Sequence, residues 1–162
     1  MRLYVPEIGD TIRLTSDWTF ELQNEYRNRS LWELMGCDST PEVLAHKNNQ
    51  TLLRNELNQL ESSLYPNGYW RYSGHTVDPV KEARRQELYD LLREQEKVQV
   101  TIAKGSVLSI DRIYIRKGGS DWSSLTFFLK ESPTYQFKKK PRFWTKLSEC
   151  NKIEFESVVS QY

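Results

Sequence analysis

The chain is poor in the residues that usually announce chemistry. It has 2 cysteines, 2 histidines and 2 methionines in 162 residues. Cys37 and Cys150 are far apart and form no CxxC, which excludes a paired-cysteine zinc site. A structural disulfide finds no support, and this cysteine usage fits a reducing cytoplasm. His46 and His75 stand in polar surroundings without a signature about either. That removes a Cys–His nucleophile and an HExxH metal centre. No GxxxxGK[ST] or GxGxxG occurs, and Gly118-Gly119 falls in a hairpin-like loop, not ahead of a helix that could cradle phosphate. No segment approaches the ~20 apolar residues of a membrane span, and residues 1–10 have no targeting run. These absences lead to an expectation of no enzyme activity, no cofactor, no metal and no membrane.

Net charge is missing too, at +1 overall, but its distribution is uneven. Residues 1–97 hold 12 Lys/Arg against 16 Asp/Glu, while residues 98–147 hold 10 against 3. A basic segment is therefore hidden by an acidic one, and distribution says more about partners than the total. Aromatic content of 12% is high for an apolar content of 38%. Such side chains supply either a core or a gripping surface.

The hydrophobic period changes twice. "PEIGDTIRLTSDWTFEL" alternates: Ile12, Leu14, then Trp18, Phe20 and Leu22, with "TSD" as a kink. "NEYRNRSLWELMG" predicts a loop and a short helix capped by Gly36. Residues 40–97 turn helical. Ser39/Thr40 before Pro41 is an N-cap signal, and Leu53, Leu57, Leu60 and Leu64 fall at helical spacing. Pro66-Asn67-Gly68 stops that helix, and Asp78-Pro79 starts a second with Asp as N-cap. From Val98 the period returns to two, with Lys104-Gly105 as a turn and a bulge expected after Val107, ahead of Ile110, Ile113 and Ile115. The predicted organisation is thus residues 1–39 as first strands and a short helix, 40–97 as an inserted helical hairpin, and 98–162 as the remaining strands. Short strands with Gly and Ser/Pro turns predict an α+β fold built on a small barrel. A separate mixed N-terminal domain is the alternative.

The basic segment carries the candidate site. On one strand Arg112, Tyr114 and Arg116 share a face, opposite Ile113 and Ile115. Lys104, Lys117, Lys130, Lys138, Lys139, Lys140, Arg142 and Lys146 surround these, with Tyr114 and Trp122 as aromatic contacts. Cations spaced along a face neutralise phosphates and release counterions, and interleaved aromatics stack or pack beside sugars. Ordinary solvated lysines that protect sheet edges are the competing explanation. At the hairpin tip, Tyr69, Trp70 and Tyr72 form a candidate protein interface, or fold back as a cap.

"AKGSVLSIDRIYIRKGGSDWSSLTF" resembles the KOW-type, SH3-like barrel motif: a turn glycine, Gly105, precedes alternating aliphatics and a basic loop. It departs from the motif in its longer loop, "DRIYIRKGG". Such barrels touch nucleic acid or RNA polymerase. Length, a single barrel and the N-terminal extension also resemble the MotB family of T-even-type bacteriophages. That resemblance implies an early phage protein in the host cytoplasm, associated with the nucleoid. It implies double-stranded DNA binding of low sequence specificity on the basic residues above, with host nucleoid proteins or RNA polymerase as possible partners. The expected function is a non-enzymatic DNA-binding modulator of transcription. The alternative is a module that binds RNA polymerase or a host defence factor, and a third reading is single-stranded RNA binding by the aromatic face.

Overall fold

The computed structural model describes residues 7–65, 78–115 and 123–158. The chain divides into two compact units, Met1–Thr40 with Lys97–Tyr162, and Pro41–Glu96.

The first unit is the β unit. Strands β1 (Thr11–Leu14) and β2 (Trp18–Gln23) are two halves of one bent run. A 3-10 turn (Tyr26–Asn28) and helix α1 (Arg29–Leu34) follow, and Gly36 ends α1 in the left-handed region at φ 64°. After the second unit come β3 (Lys97–Ile102), β4 (Val107–Tyr114), β5 (Ser124–Glu131) and β6 (Arg142–Lys146). A short helix, Leu147–Cys150, and β7 (Phe155–Ser157) complete it. The strands form a five-stranded sheet, β6-β5-β4-β1-β7, and a two-stranded sheet, β2-β3.

Alternation decides what each sheet buries. β3 reads exposed–buried throughout, and pairs Val98, Val100 and Ile102 with Leu22, Phe20 and Trp18. Those six residues and the inward row of the larger sheet (Ile12, Leu14, Leu108, Ile110, Leu125, Phe127, Leu129, Phe143) are all buried. The packing is aromatic at its centre. Trp18 stacks on Phe20 at 4.2 Å and meets Phe127 edge-on at 5.7 Å, while Phe143 lies 5.4 Å from Phe127. Each such pair adds about 0.5–1.5 kcal/mol beyond burial. Phe143→Ala, at 0% exposure, would cost about 3–5 kcal/mol.

The expected barrel is not formed. Both sheets are open, and no strand pairs β6 with β2 or β7 among the described residues. The physical reason is Asn28, which is fully buried at the seam where closure would occur. Its Nδ2 donates to the Gln23 carbonyl at 3.1 Å, and its Oδ1 accepts from the Trp144 N–H at 2.8 Å. Ser30 Oγ engages both the N–H and the carbonyl of Arg142 at 3.3 Å. Side chains, not a strand, satisfy this edge, which also protects it from pairing with another chain.

Two local devices match the sequence. Gly105 takes φ 90° in the turn between β3 and β4. A register shift between Val107 and Leu108 lies where the sequence puts a bulge, and a second one makes Asp111 a bulge residue: Ile110 opposes Phe127, while Arg112 opposes Thr126. The bulge shifts the alternation, so Ile110 and Ile113 both face inward while Arg112 and Tyr114 face out. Ile115, expected to share the inward row, is 77% exposed. It lies beyond the last pair, Tyr114 with Ser124, so no neighbouring strand covers it.

The second unit is an antiparallel helical hairpin of α2 (Pro41–Leu64) and α3 (Pro79–Leu92). Asp78 caps α3, accepting from Val80 N at 2.9 Å. Thr40 departs from its expected capping role, and its hydroxyl donates to the Cys37 carbonyl at 2.7 Å. The apolar stripe is narrow, and polar groups lace the two helices. Arg84 binds Glu56 through two hydrogen bonds of 2.9 Å, and Arg85 reaches Glu61 at 3.3 Å. Among the described residues no helix is long and apolar enough to cross a membrane.

Candidate nucleic-acid interface

The outward face of the five-stranded sheet is built by strand parity. Opposite pairs place Lys146, Ser124 and Tyr114 in one row, and Trp144, Thr126 and Arg112 in the next. Arg142 opposes Phe128, and Lys130 continues the same side of β5. Arg13 of β1 pairs with Val107 and Glu156 at the far side. This brings Arg112, Tyr114, Lys130, Arg142 and Lys146 onto one face.

Charge is balanced at one part of this face and left free at another. Arg142 is held by Asp111 at 2.9 Å, so the bulge residue serves as its counterion. Arg13 meets Glu156 at 3.6 Å and Arg27 meets Glu25 at 3.0 Å. Arg27 lies over the Trp144 ring at 5.2 Å, and Trp144 Nε1 donates to Glu25. Arg112 donates to the Tyr114 hydroxyl at 3.2 Å. That hydrogen bond, with the charges of Arg112, Arg27 and Arg142 nearby, holds the Tyr114 phenol below its ordinary pKa; the same bond, with Asp111 nearby, raises the pKa of Arg112.

The lysines differ. Lys130, Lys138, Lys139, Lys140 and Lys146 have no carboxylate within ion-pair distance among the described residues. Lys138, Lys139 and Lys140 are exposed on the loop from β5 to β6. That loop is ordered at its start by Ser132, whose Oγ accepts from Thr134 N and Tyr135 N at 3.1 Å, and at its end by buried Pro141. Lys130 and Lys140 join Arg13 on a groove of about 360 Å³ that also includes Glu131 and Val107. Lys104, in the turn before β4, lies at the end of that strand where Val107 pairs with Glu131, and its N–H is tied to Asp17 at 2.7 Å.

Of the remaining expected residues, Arg116, Lys117 and Trp122 lie outside the described residues, as do Tyr69, Trp70 and Tyr72. Arg13 and Arg27 are not among the candidates the sequence offers, and Trp144, which the sequence leaves open between core and contact surface, is half-buried on this face. Arg13 was readable, since it alternates with Ile12 and Leu14 on a strand. Nothing in sequence signals Arg27, which comes from a 3-10 turn and reaches the face only by folding.

Neither cysteine is activated as a nucleophile. Burial, and then the neighbouring carboxylate Asp38, pushes the Cys37 thiol up to about 11. Burial, and then Glu149, raises Cys150 to about 12. Both sulfurs are held as thiols at neutral pH. Among the described residues no group of three His, Cys, Asp or Glu is placed to hold a metal ion.

No family model, curated protein or solved structure matches this chain. With both sheets open, the resemblance to KOW-type barrels and to the MotB family is not sustained, and the fold and lineage it implied are withdrawn.

Proposed function

We propose that the chain is a non-catalytic, low-specificity binder of double-stranded DNA, and that it modulates transcription by occupying the duplex. One observation carries this reading: the five lysines without carboxylate partners, Lys130, Lys138, Lys139, Lys140 and Lys146, gather on one sheet face and its adjoining loop. An unpaired cation on a rigid sheet costs little to bring to a phosphate, because no salt bridge must break first. Arg112 adds a forked donor, and Tyr114 a hydroxyl, at the other end of β4. Arg142 and Arg13 are already neutralised and serve as second-rank contacts. Nothing in this geometry reads base edges in a duplex, which is why low specificity is part of the proposal. It requires no cofactor, and it implies a cytoplasmic protein found with DNA.

The test is a titration against random-sequence duplex at two salt concentrations. With about six phosphate contacts, affinity falls about 10³-fold between 50 and 200 mM salt. Replacing Lys138, Lys139 and Lys140 together by Glu should abolish most of the binding and flatten the slope. Binding that ignores salt, or survives that triple change, would overturn the reading.

A second reading, a module that binds a protein such as RNA polymerase, is favoured by one separate observation. Tyr26, beside Arg27, is 86% exposed. An exposed Tyr beside an Arg is the composition of an interface anchor. Tyr26→Ala should then remove function while leaving DNA affinity unchanged.

A further inference from the structure

Below the edge of β6 lies a polar cavity of about 160 Å³. Glu21 and Gln23 of β2 and Gln99 of β3 line one side; Trp144, Thr145 and Lys146 of β6 line the other. Glu149 also borders it, but its carboxylate is occupied, accepting from Glu21 N at 3.2 Å and from Lys152 Nζ at 3.0 Å. The side chains of Glu21, Gln23, Gln99 and Lys146 make no hydrogen bond within the protein among the described residues. Thr145 is 1% exposed, and its hydroxyl has no partner. Polar groups around a cavity normally satisfy one another, and a buried hydroxyl left without a partner calls for an explanation. Here the buried group is Thr145; Gln99 is exposed and Glu21, Gln23 and Lys146 are half-buried, so their polar ends are open to a ligand as they are to water.

The chemistry of those groups selects a ligand class. An amide presents a donor and an acceptor side by side in one plane, and a carboxylate presents acceptors only. The amide alone complements either an amine beside a ring nitrogen or an imide N–H beside a carbonyl; the Glu21 carboxylate, opposite Gln99, asks for a second donor hydrogen, which only an exocyclic amine supplies. Trp144 supplies an aromatic wall. Arg27 over its ring and Glu25 at its Nε1 hold it in one orientation, so little order is lost on stacking. Lys146 belongs both to this cavity and to the cationic face. A strand whose phosphates lie on that face therefore passes the cavity mouth.

We propose that this cavity receives one unpaired nucleobase bearing an exocyclic amine, from a strand whose backbone lies on the sheet face. The inference rests on the nucleic-acid reading above and deepens it. In a duplex the Watson–Crick edge is already paired, so the cavity adds affinity only for single-stranded or unpaired segments. Cytosine, with its amine beside a ring acceptor, fits. Thymine, of similar size, supplies a single N–H, which the amide can take, and leaves the carboxylate facing a carbonyl.

The experiment compares oligo-dC, oligo-dT and an abasic deoxyribose-phosphate strand of equal length, with random duplex as reference, all at one salt concentration. Oligo-dC should bind about tenfold tighter than oligo-dT, the discrimination expected from one bidentate contact. It should exceed the abasic strand by more, since stacking is then lost as well. Gln99→Ala and Glu21→Ala should erase the dC preference and leave duplex affinity and its salt slope unchanged. Gln99 lies on the solvent side of β3, and circular dichroism confirms that each variant folds. If wild-type protein binds dC, dT and abasic strands equally while still binding duplex, the base cavity is refuted and the backbone reading stands. If no strand and no duplex binds, both fall together.

Discussion

Asn28 is the most informative residue to change, because it stands where a barrel would have closed. It is fully buried and bridges the two sheets, donating to Gln23 O at 3.1 Å and accepting from Trp144 N at 2.8 Å. Asn28→Ala removes both bonds and leaves a half-buried carbonyl and N–H beside the polar cavity with only water to replace them. Each bond is worth about 0.5–1.5 kcal/mol net where water can take its place, so the pair should cost about 1–3 kcal/mol. For a domain on the order of 100 residues this lowers Tm by about 5–20 °C. Asn28→Asp separates the two bonds. The carboxylate keeps the acceptor for Trp144 N but presents no donor to Gln23, and it faces a carbonyl instead. It should therefore be no better than Ala, although it is nearly isosteric. Urea unfolding followed by near-ultraviolet circular dichroism reads the aromatic core directly. A loss below about 0.5 kcal/mol for Asn28→Ala, within the range of an ordinary surface change, would refute the seam argument.

Three further outcomes follow from the charges and thiols. In the helical hairpin, the Arg85 and Glu61 side chains are only 21% and 15% exposed; Glu61→Ala leaves Arg85 its second carboxylate, Glu82 at 3.0 Å, but removes one ion pair and the acceptor of the Tyr89 hydroxyl, and should cost about 1 kcal/mol, read as lost helicity in urea. Arg84 holds the exposed Glu56 carboxyl below its ordinary pKa. A depressed carboxyl contributes stability above its unfolded pKa and loses it as pH falls through the folded one. Hairpin stability should thus drop on acidification through and below the ordinary carboxylate range, and Glu56→Gln should blunt that drop in pH-dependent unfolding curves. With thiol pKa values pushed up to about 11 and about 12, Cys37 and Cys150 should react slowly with a disulfide reagent at pH 8 in native protein and rapidly once unfolded. Equal rates in both states would contradict their burial.

Periodicity determined much of this protein by itself. Alternation at Trp18, Phe20 and Leu22, and at Val98, Val100 and Ile102, is local backbone geometry, and each of these six residues is buried where the pattern put it. The same holds for the Asp78 cap, the Gly36 stop and the irregularity after Val107, which depend on one or two neighbouring residues. Parity likewise placed Arg112 and Tyr114 together on a solvent face. Tertiary structure alone decided the rest. Whether a curved set of strands closes depends on which groups meet at its two edges, and Asn28 and Ser30 occupy that edge from more than 100 residues away in sequence. Which cations remain free depends on which carboxylates the fold brings near. Asp111 takes Arg142 while Lys138, Lys139 and Lys140 find none, although all four cations lie within one five-residue stretch. The polar cavity joins β2, β3 and β6, so no window of the sequence contains it. Pairing between distant strands is set by the packing of the whole core, and a pattern that repeats every second residue carries no record of it.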